Sequence, residues 1–101
     1  MRIYVSGRIK DYPGYLEHFQ RACHILAMGG QEPVNPCDVV LEPLETNYQN
    51  YMKADIRLLL DCEAIYMLEG WEQSTGARCE HLVAAMCGLQ VLYESPGHLA
   101  S

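Results

Sequence analysis

A short segment of small and polar residues, at positions 70–81, carries the residue types most suited to chemistry in this chain of 101 residues. It follows an apolar run and leads into a helix-like run, so the free N–H groups that open the helix form a natural seat for an anion. Glu80 falls in the first turn of that helix or just beyond it. Its carboxylate can do chemistry or can simply complement the helix dipole, and spacing alone favours the dipole.

Two cations, Arg8 and Lys10, provide a second candidate feature in the loop that follows the first apolar run. Open α/β sheets bind their ligands just beyond the carboxyl ends of the strands, which is where this loop is expected to lie. Both side chains are therefore candidate anion contacts. Ordinary solvated surface charges would have the same spacing, so the sequence leaves the two interpretations open.

The cysteines and histidines give no pattern of a metal site. The five cysteines are odd in number and contain no CxxC pair, which argues against a zinc site and against a complete disulfide framework. His18 and His24 are six residues apart, off the spacing of a helical metal pair. We therefore expect no metal and no cofactor, and we treat Cys79 as a small packing residue.

Composition limits the class of protein and its partners. The net charge of −6 and the pI near 5.0 argue against a nucleic-acid backbone or an anionic membrane as the main partner, since both need a basic face. No apolar stretch approaches the roughly 18 residues of a membrane span, and the first residues lack the apolar core of a signal peptide. The sequence thus predicts one cytoplasmic domain over residues 1–101, small enough that self-association would be unsurprising.

The elements that must position these residues alternate between strand and helix. Strands are predicted at 2–6, 64–68 and 89–93, with a short strand within 32–36, and helices at 15–28, 47–60 and 81–87. The loop at 37–47 is expected to pass over the top of the sheet. Because alternating strands and helices give right-handed crossovers, the fold class is α/β: a small three-layer flavodoxin/Rossmann-like sandwich with a parallel sheet of about four strands.

Asp55 is an acidic residue inside the apolar pattern of the second predicted helix. Ala54 and Leu58 flank it at helical neighbour spacing, so it can lie at the margin of the buried face. It can equally be a surface acid paired with a basic neighbour. Tyr51 is counted in the buried stripe of the same helix.

Three segments, taken together and in this order, resemble the nucleoside 2-deoxyribosyltransferase-like superfamily over nearly the whole length. They are Tyr-Val-Ser-Gly-Arg-Ile-Lys at 4–10, Asp-Ile-Arg-Leu-Leu-Leu at 55–60 and Ser-Thr-Gly-Ala-Arg-Cys-Glu at 74–80. Within the superfamily the chain looks most like the short phage and bacterial domains of unknown function of the DUF4406 type. It is secondarily similar to the 2′-deoxynucleoside 5′-monophosphate N-glycosidases.

The resemblance implies an enzyme that cleaves the bond between a nucleobase and its sugar, by hydrolysis or by transfer to a second base. Glu80 matches the glutamate that attacks the anomeric carbon and forms a glycosyl-enzyme ester. Tyr4 matches a first-strand tyrosine that bonds near the nucleophile. Asp55 matches an aspartate that contacts the sugar or helps the base to leave.

The resemblance also implies a 5′-phosphorylated ligand. Ser74 stands where the transferases carry an aspartate for the free 5′-hydroxyl and the monophosphate glycosidases carry a serine for phosphate. Trp71 could stack on the base, and His81 could tune the neighbouring glutamate. The expected substrate and phosphate contacts are Ser6, Gly7, Arg8, Ile9, Lys10, Ser74, Thr75 and Gly76.

The partners implied are a small nucleotide or nucleoside and further copies of the chain, as a homodimer or higher homo-oligomer, with neither nucleic acid nor membrane. Members of the superfamily complete their pocket with a residue from a neighbouring subunit near the chain end, and Ser101 is the candidate here. Two alternatives remain. The chain could be a nucleotide-binding or sensing module without turnover, or a purely structural interaction protein.

Overall fold

A four-stranded sheet with helices on both faces forms the frame of the molecule, of which the computed structural model describes residues 1–95. Three short 3₁₀ turns interrupt the loops, at Pro36–Asp38, Pro43–Glu45 and Trp71–Gln73. The main elements are β1 Arg2–Ser6, α1 Tyr15–Met28, β2 Glu32–Val34, α2 Tyr48–Leu60, β3 Ala64–Met67, α3 Thr75–Met86 and β4 Gln90–Tyr93. The predicted α/β class with four strands is confirmed.

All strand pairs are parallel, in the order β2-β1-β3-β4. Tyr4 of β1 lies between Val34 of β2 and Ile65 of β3, so β1 and β3 are the central strands. The chain moves from β1 to β2 on one side and then crosses back to β3 on the other. This reversal opens a crevice at the carboxyl ends of β1 and β3, the place where such sheets bind ligands.

Each face of the sheet has its own core. On one face, the buried side chains of α1 pack against β1 and the residue that follows β3, in the cluster Val5, Phe19, Ala22 and Leu68. On the other face, α2 and α3 cover the cluster Tyr4, Leu59, Cys62, Ile65, Met67, Ala77 and Ala84. Alternation along β1 therefore points Tyr4 and Ser6 towards α2 and α3, and Val5 towards α1.

The third helix begins six residues earlier than the sequence pattern predicts, at Thr75 instead of position 81. The hydroxyl of Ser74 accepts a hydrogen bond from the backbone N–H of Ala77 at 3.1 Å and caps the helix. Gly76 is a poor helix former and hides this start in the sequence. Glu80 consequently lies in the second turn, inside the helix and facing the sheet.

The other helix ends follow the sequence signals. Asn47 caps α2 by accepting from the N–H of Asn50 at 2.8 Å, and Gly30, with φ of 84°, follows the end of α1. Within residues 1–95, no helix is both long and apolar enough to cross a membrane. Ser101, the predicted contribution of a neighbouring subunit, lies outside the described residues.

Candidate active site

A cleft of about 1000 Å³ opens at the carboxyl ends of β1 and β3. Its walls come from the β1–α1 loop, the start of α3 and one side of α2. Nine residues predicted from the sequence line it together: Gly7, Arg8, Ile9, Lys10, Asp55, Ser74, Thr75, Gly76 and Glu80. The structure thus brings the candidate carboxylates and the candidate anion contacts to one place.

Glu80 is buried at the cleft, with 6% of its surface exposed. The hydroxyl of Tyr4 donates to its Oε2 at 2.7 Å, and the hydroxyl of Ser6 donates to its Oε1 at 2.7 Å. Burial raises the pKa of Glu80 above its ordinary value, and the two hydrogen bonds oppose that rise by stabilising the charged form. Glu80 is therefore held by two donors in one orientation, with its charge partly compensated.

Tyr4 and Ser6 are both completely buried, two residues apart on β1. Burial and the charge of Glu80 raise the pKa of Tyr4, so its phenol stays protonated and remains a donor. Ser6 was expected to contact substrate, but its hydroxyl is bonded to Glu80 and it does not line the cleft. Both side chains therefore act through Glu80.

Asp55 reaches the cleft from α2 and has no ion-pair partner among the described residues. Its Oδ1 is buried and accepts no hydrogen bond within residues 1–95. Burial, followed by the charge of Glu80, raises the pKa of Asp55 to about 7. An unpartnered buried oxygen is uncommon in proteins, and a bound ligand would satisfy it, whereas a proton on Asp55 would remove only the cost of the buried charge.

The glycines of the cleft are needed for packing as well as for access. A Cβ on Gly7 would stand 2.9 Å from the Cβ of Leu68, closer than real side chains allow. A Cβ on Gly76 would stand 3.3 Å from the sulfur of Met52 and from the hydroxyl of Tyr48. The first glycine lets the β1–α1 loop approach β3, and the second lets α3 approach α2.

The two halves of the predicted anion site line the same cleft. Arg8 and Lys10 belong to the β1–α1 loop, and Arg8 donates to Gln73 Oε1 at 3.1 Å. Ser74 and Thr75 belong to the start of α3, directly after Gln73. The hydroxyl of Ser74 accepts from Ala77 as the helix cap, which leaves its own O–H free to donate to a ligand.

Trp71, predicted as a possible base contact, does not line the cleft. Its ring stacks on His81 with centroids 4.4 Å apart and planes at 26°. The Nε2 of His81 lies 2.7 Å from the hydroxyl of Tyr93 at the end of β4, and the hydrogen bonds of the Glu80 side chain go to Tyr4 and Ser6 instead of His81. The three rings form a separate cluster over β4.

The aromatic side of the cleft comes from α2, which sequence reasoning missed. Tyr48, Tyr51, Met52 and Asp55 follow the spacing i, i+3, i+4 and i+7, so they share one helix face that lines the cleft. Tyr51 was assigned to the buried stripe, but it is 38% exposed. The sequence could have predicted this surface from the spacing, because residues three, four and seven positions before Asp55 lie on the same helix face and line the same cleft.

This arrangement brings two carboxyl groups in different environments, an aromatic surface and a candidate anion seat into one cleft. Carboxyls whose environments push their pKa values apart are suited to an acid and a nucleophile or base. No group of three or more potential metal ligands occurs among residues 1–95. The cleft therefore combines two carboxyl groups with a cationic loop and the amino end of a helix.

Comparison with known proteins assigns the chain to a family. No curated protein shows significant similarity to it. A family model described as a domain of unknown function (DUF4406) matches residues 1–93, from the start of β1 to the last residue of β4. Because this match includes every strand and helix and all the residues of the cleft, the chain belongs to the DUF4406 family.

Proposed function

We propose that the protein cleaves the N-glycosidic bond of a (deoxy)nucleoside 5′-monophosphate, by hydrolysis or by transfer to a second base. The observation that carries this proposal is the pair formed by Glu80, held by the Tyr4 and Ser6 hydroxyls, and the unpartnered Asp55 in the same cleft. The fold is compatible with the deoxyribosyltransferase-like superfamily that the sequence resembles.

In the first step, an ionised oxygen of Glu80 attacks the anomeric carbon while the bond from that carbon to the base breaks. The electron pair of the broken carbon–nitrogen bond goes to the base, and protonated Asp55 gives its proton to a nitrogen or oxygen atom of that leaving base. A pKa near 7 suits Asp55 to this exchange close to neutral pH. The hydroxyls of Tyr4 and Ser6 keep Glu80 oriented.

In the second step, water or a second base attacks the anomeric carbon of the ester and releases Glu80 as a carboxylate. Asp55, now ionised, takes the proton of the attacking group and returns to its first state. Retaining glycoside hydrolases use a carboxyl group in the same way, first as the general acid and then as the general base. The open cleft leaves room for either acceptor.

The cationic loop and the start of α3 support a phosphate on the 5′ carbon. Lys10 and Arg8 supply positive charge, and the first-turn amides of α3 together with the Ser74 hydroxyl supply donors. Binding energy from a phosphate remote from the reacting bond can orient the sugar over Glu80. A bare nucleoside would leave these groups unused.

One observation favours a second candidate, a nucleotide-binding module without turnover. Both oxygens of Glu80 already accept a hydrogen bond, and burial raises its pKa. The hydrogen bonds weaken the carboxylate as a nucleophile, and the raised pKa lowers the fraction of Glu80 that is ionised in the ligand-free protein. A sensor would use the same cleft and the same phosphate contacts.

The test is chromatographic detection of free base after incubation with the common nucleosides and their 5′-monophosphates. We expect the wild type to release base from a monophosphate, and Glu80→Gln to release it about 1000-fold more slowly while still binding. Glu72→Gln is the matched control, since Glu72 is exposed and does not line the cleft. Ligand-induced stabilisation without base release would favour the sensor, and no stabilisation by any compound would contradict both.

A further inference from the structure

The β1–α1 loop contains a tight turn that one arginine organises from inside. The N–H of Tyr12 donates to the carbonyl of Ile9 at 3.2 Å, and Asp11 has a positive φ of 59°, which is uncommon for a residue with a side chain. The guanidinium of Arg8 donates to the carbonyl of Lys10 through Nε and to the carbonyl of Asp11 through a terminal nitrogen, both at 3.2 Å.

The same guanidinium also contacts the segment that precedes α3. Its other terminal nitrogen donates to Oε1 of Gln73 at 3.1 Å, over a sequence separation of 65 residues. Gln73 immediately precedes Ser74, the cap of α3. A single side chain therefore connects the turn that carries Lys10 to the residue just before the cap of α3, and so links the two halves of the anion site.

The far end of the turn has an independent anchor. The hydroxyl of Tyr12 lies 2.9 Å from Nδ1 of the buried His18, and Nε2 of His18 lies 2.8 Å from Glu94 Oε1. Glu94 Oε1 also accepts from the N–H of Glu69 at 2.7 Å, beyond the end of β3. The turn is thus fixed to the sheet on one side through Tyr12 and to α3 on the other through Arg8.

Arg8 is largely committed to these internal contacts. A guanidinium has five N–H donors, and three of those of Arg8 are bonded to Lys10, Asp11 and Gln73. Lys10 contrasts with it, because its side chain is exposed at the rim of the cleft and has no ion-pair partner among the described residues. The charge at the tip of the turn is therefore that of Lys10, and the shape of the turn depends on Arg8.

We propose that Arg8 is a positioning residue, which through Gln73 sets the distance between the Lys10 turn and the first turn of α3. The consequence for ligands, that this distance determines selectivity for a 5′-phosphate, rests on the proposed function. The shape of the turn in the free protein does not. The two parts can accordingly be tested separately.

The first measurement is amide hydrogen exchange of the ligand-free protein, followed at Tyr12. We expect exchange at Tyr12 to be about tenfold faster in Gln73→Ala and in Arg8→Lys, since each variant loses at least one hydrogen bond of the Arg8 guanidinium. Gln73→Glu keeps the acceptor and should exchange like the wild type. The controls are Gln20→Ala and Arg21→Lys, on the exposed side of α1. Unchanged exchange in both test variants would overturn the proposal.

The second measurement is calorimetric binding of the four common deoxynucleoside 5′-monophosphates and of the corresponding nucleosides. Arg8→Lys preserves the charge, yet we expect it to weaken monophosphate binding about tenfold and to leave nucleoside binding within about twofold. Where turnover occurs, KM should rise and kcat should hold. Wild-type affinity in Arg8→Lys would mean that only charge matters and would overturn the proposal. If the wild type binds no monophosphate and Tyr12 exchange still responds, the proposed function fails and the positioning role stands.

Discussion

The two carboxyl groups of the cleft have different surroundings, and the proposed mechanism gives them opposite tasks. Glu80 receives two hydroxyl donors that favour its ionised form, whereas Asp55 receives none among the described residues. The negative charge of Glu80 then adds to burial in raising the pKa of Asp55 to about 7. One carboxylate and one carboxylic acid can therefore coexist in one site near neutral pH.

Asp55→Asn should stabilise the fold above neutral pH. A carboxyl whose folded pKa is about 7, against an ordinary 3.8, binds its proton more tightly when folded. Its cost to stability is therefore absent below pH 4, grows between pH 4 and 7, and is complete above pH 7. The full shift would correspond to about 4 kcal/mol, which we reduce to about 1–2 kcal/mol because the side chain is partly exposed. Urea unfolding at pH 5 and pH 8 measures the difference.

The control is Asp61→Asn, which removes an exposed carboxylate at the end of the same helix and should change stability equally at both pH values. If Asp55→Asn and the wild type had equal free energies of unfolding at pH 8, ionised Asp55 would not destabilise the folded protein.

Base release by wild type should decline as the pH rises through about 7, because Asp55 then loses the proton that the leaving base needs.

At the scale of elements, the fold follows closely from local signals and the site follows less closely. The apolar runs of β1 and β3, the cap at Asn47 and the glycines after α1 are visible in the sequence, and the structure confirms the elements that they predict. The start of α3 is not visible. Its cap, Ser74, lacks a glutamate three residues later, and Gly76 weakens the helical pattern.

The contacts inside the site depend on register, which no local pattern encodes. The hydrogen bonds from Tyr4 and Ser6 to Glu80 join residues 76 and 74 positions apart, and they exist only because α3 packs across the end of β1. Trp71 illustrates the reverse case. Its neighbours in sequence suggested a base contact, but packing of α3 beside β4 gives it His81 as a partner.

Ser74 has two separable tasks, capping α3 and donating to a phosphate, and two variants distinguish them. Ser74→Ala removes the cap and should lower the free energy of unfolding by about 1 kcal/mol. Ser74→Asp keeps an acceptor for the N–H of Ala77 and favours the helix dipole, so stability should be retained. Its charge should nevertheless repel a 5′-phosphate and shift binding towards the nucleoside. Urea unfolding and calorimetry measure the two effects.

Thr46→Ala and Thr46→Asp are the matched controls, since Thr46 is exposed in the β2–α2 loop and does not line the cleft. They should leave the preference between monophosphate and nucleoside unchanged. If Ser74→Asp binds the monophosphate as tightly as the wild type does, Ser74 serves only as a cap.

At the scale of the whole molecule, the charge distribution runs against the ligand that we propose. The chain carries a net charge of −6, so a monophosphate approaches an acidic protein and must be held by a local positive field. The sheet topology provides this field, because β1 and β3 are neighbouring strands. The cationic β1–α1 loop and the amino end of α3, which follow their carboxyl ends, therefore meet at one crevice.

Binding measured at different salt concentrations therefore distinguishes the attraction of the positive loop for phosphate from the uncharged contacts. Lys10 is exposed, so salt screens its attraction for a phosphate, whereas contacts to the sugar and base are uncharged. Raising NaCl from about 0.05 to about 0.5 M should weaken monophosphate binding roughly five- to tenfold and nucleoside binding less than about twofold.

Thermal unfolding gives an independent measure of binding, since a ligand at about 100 times its Kd should raise Tm on the order of 10 °C. Lys10→Ala should remove most of the salt dependence and Lys53→Ala, on the exposed side of α2, should preserve it. An equal response of monophosphate and nucleoside to salt would mean that the cleft does not use its positive loop to bind phosphate.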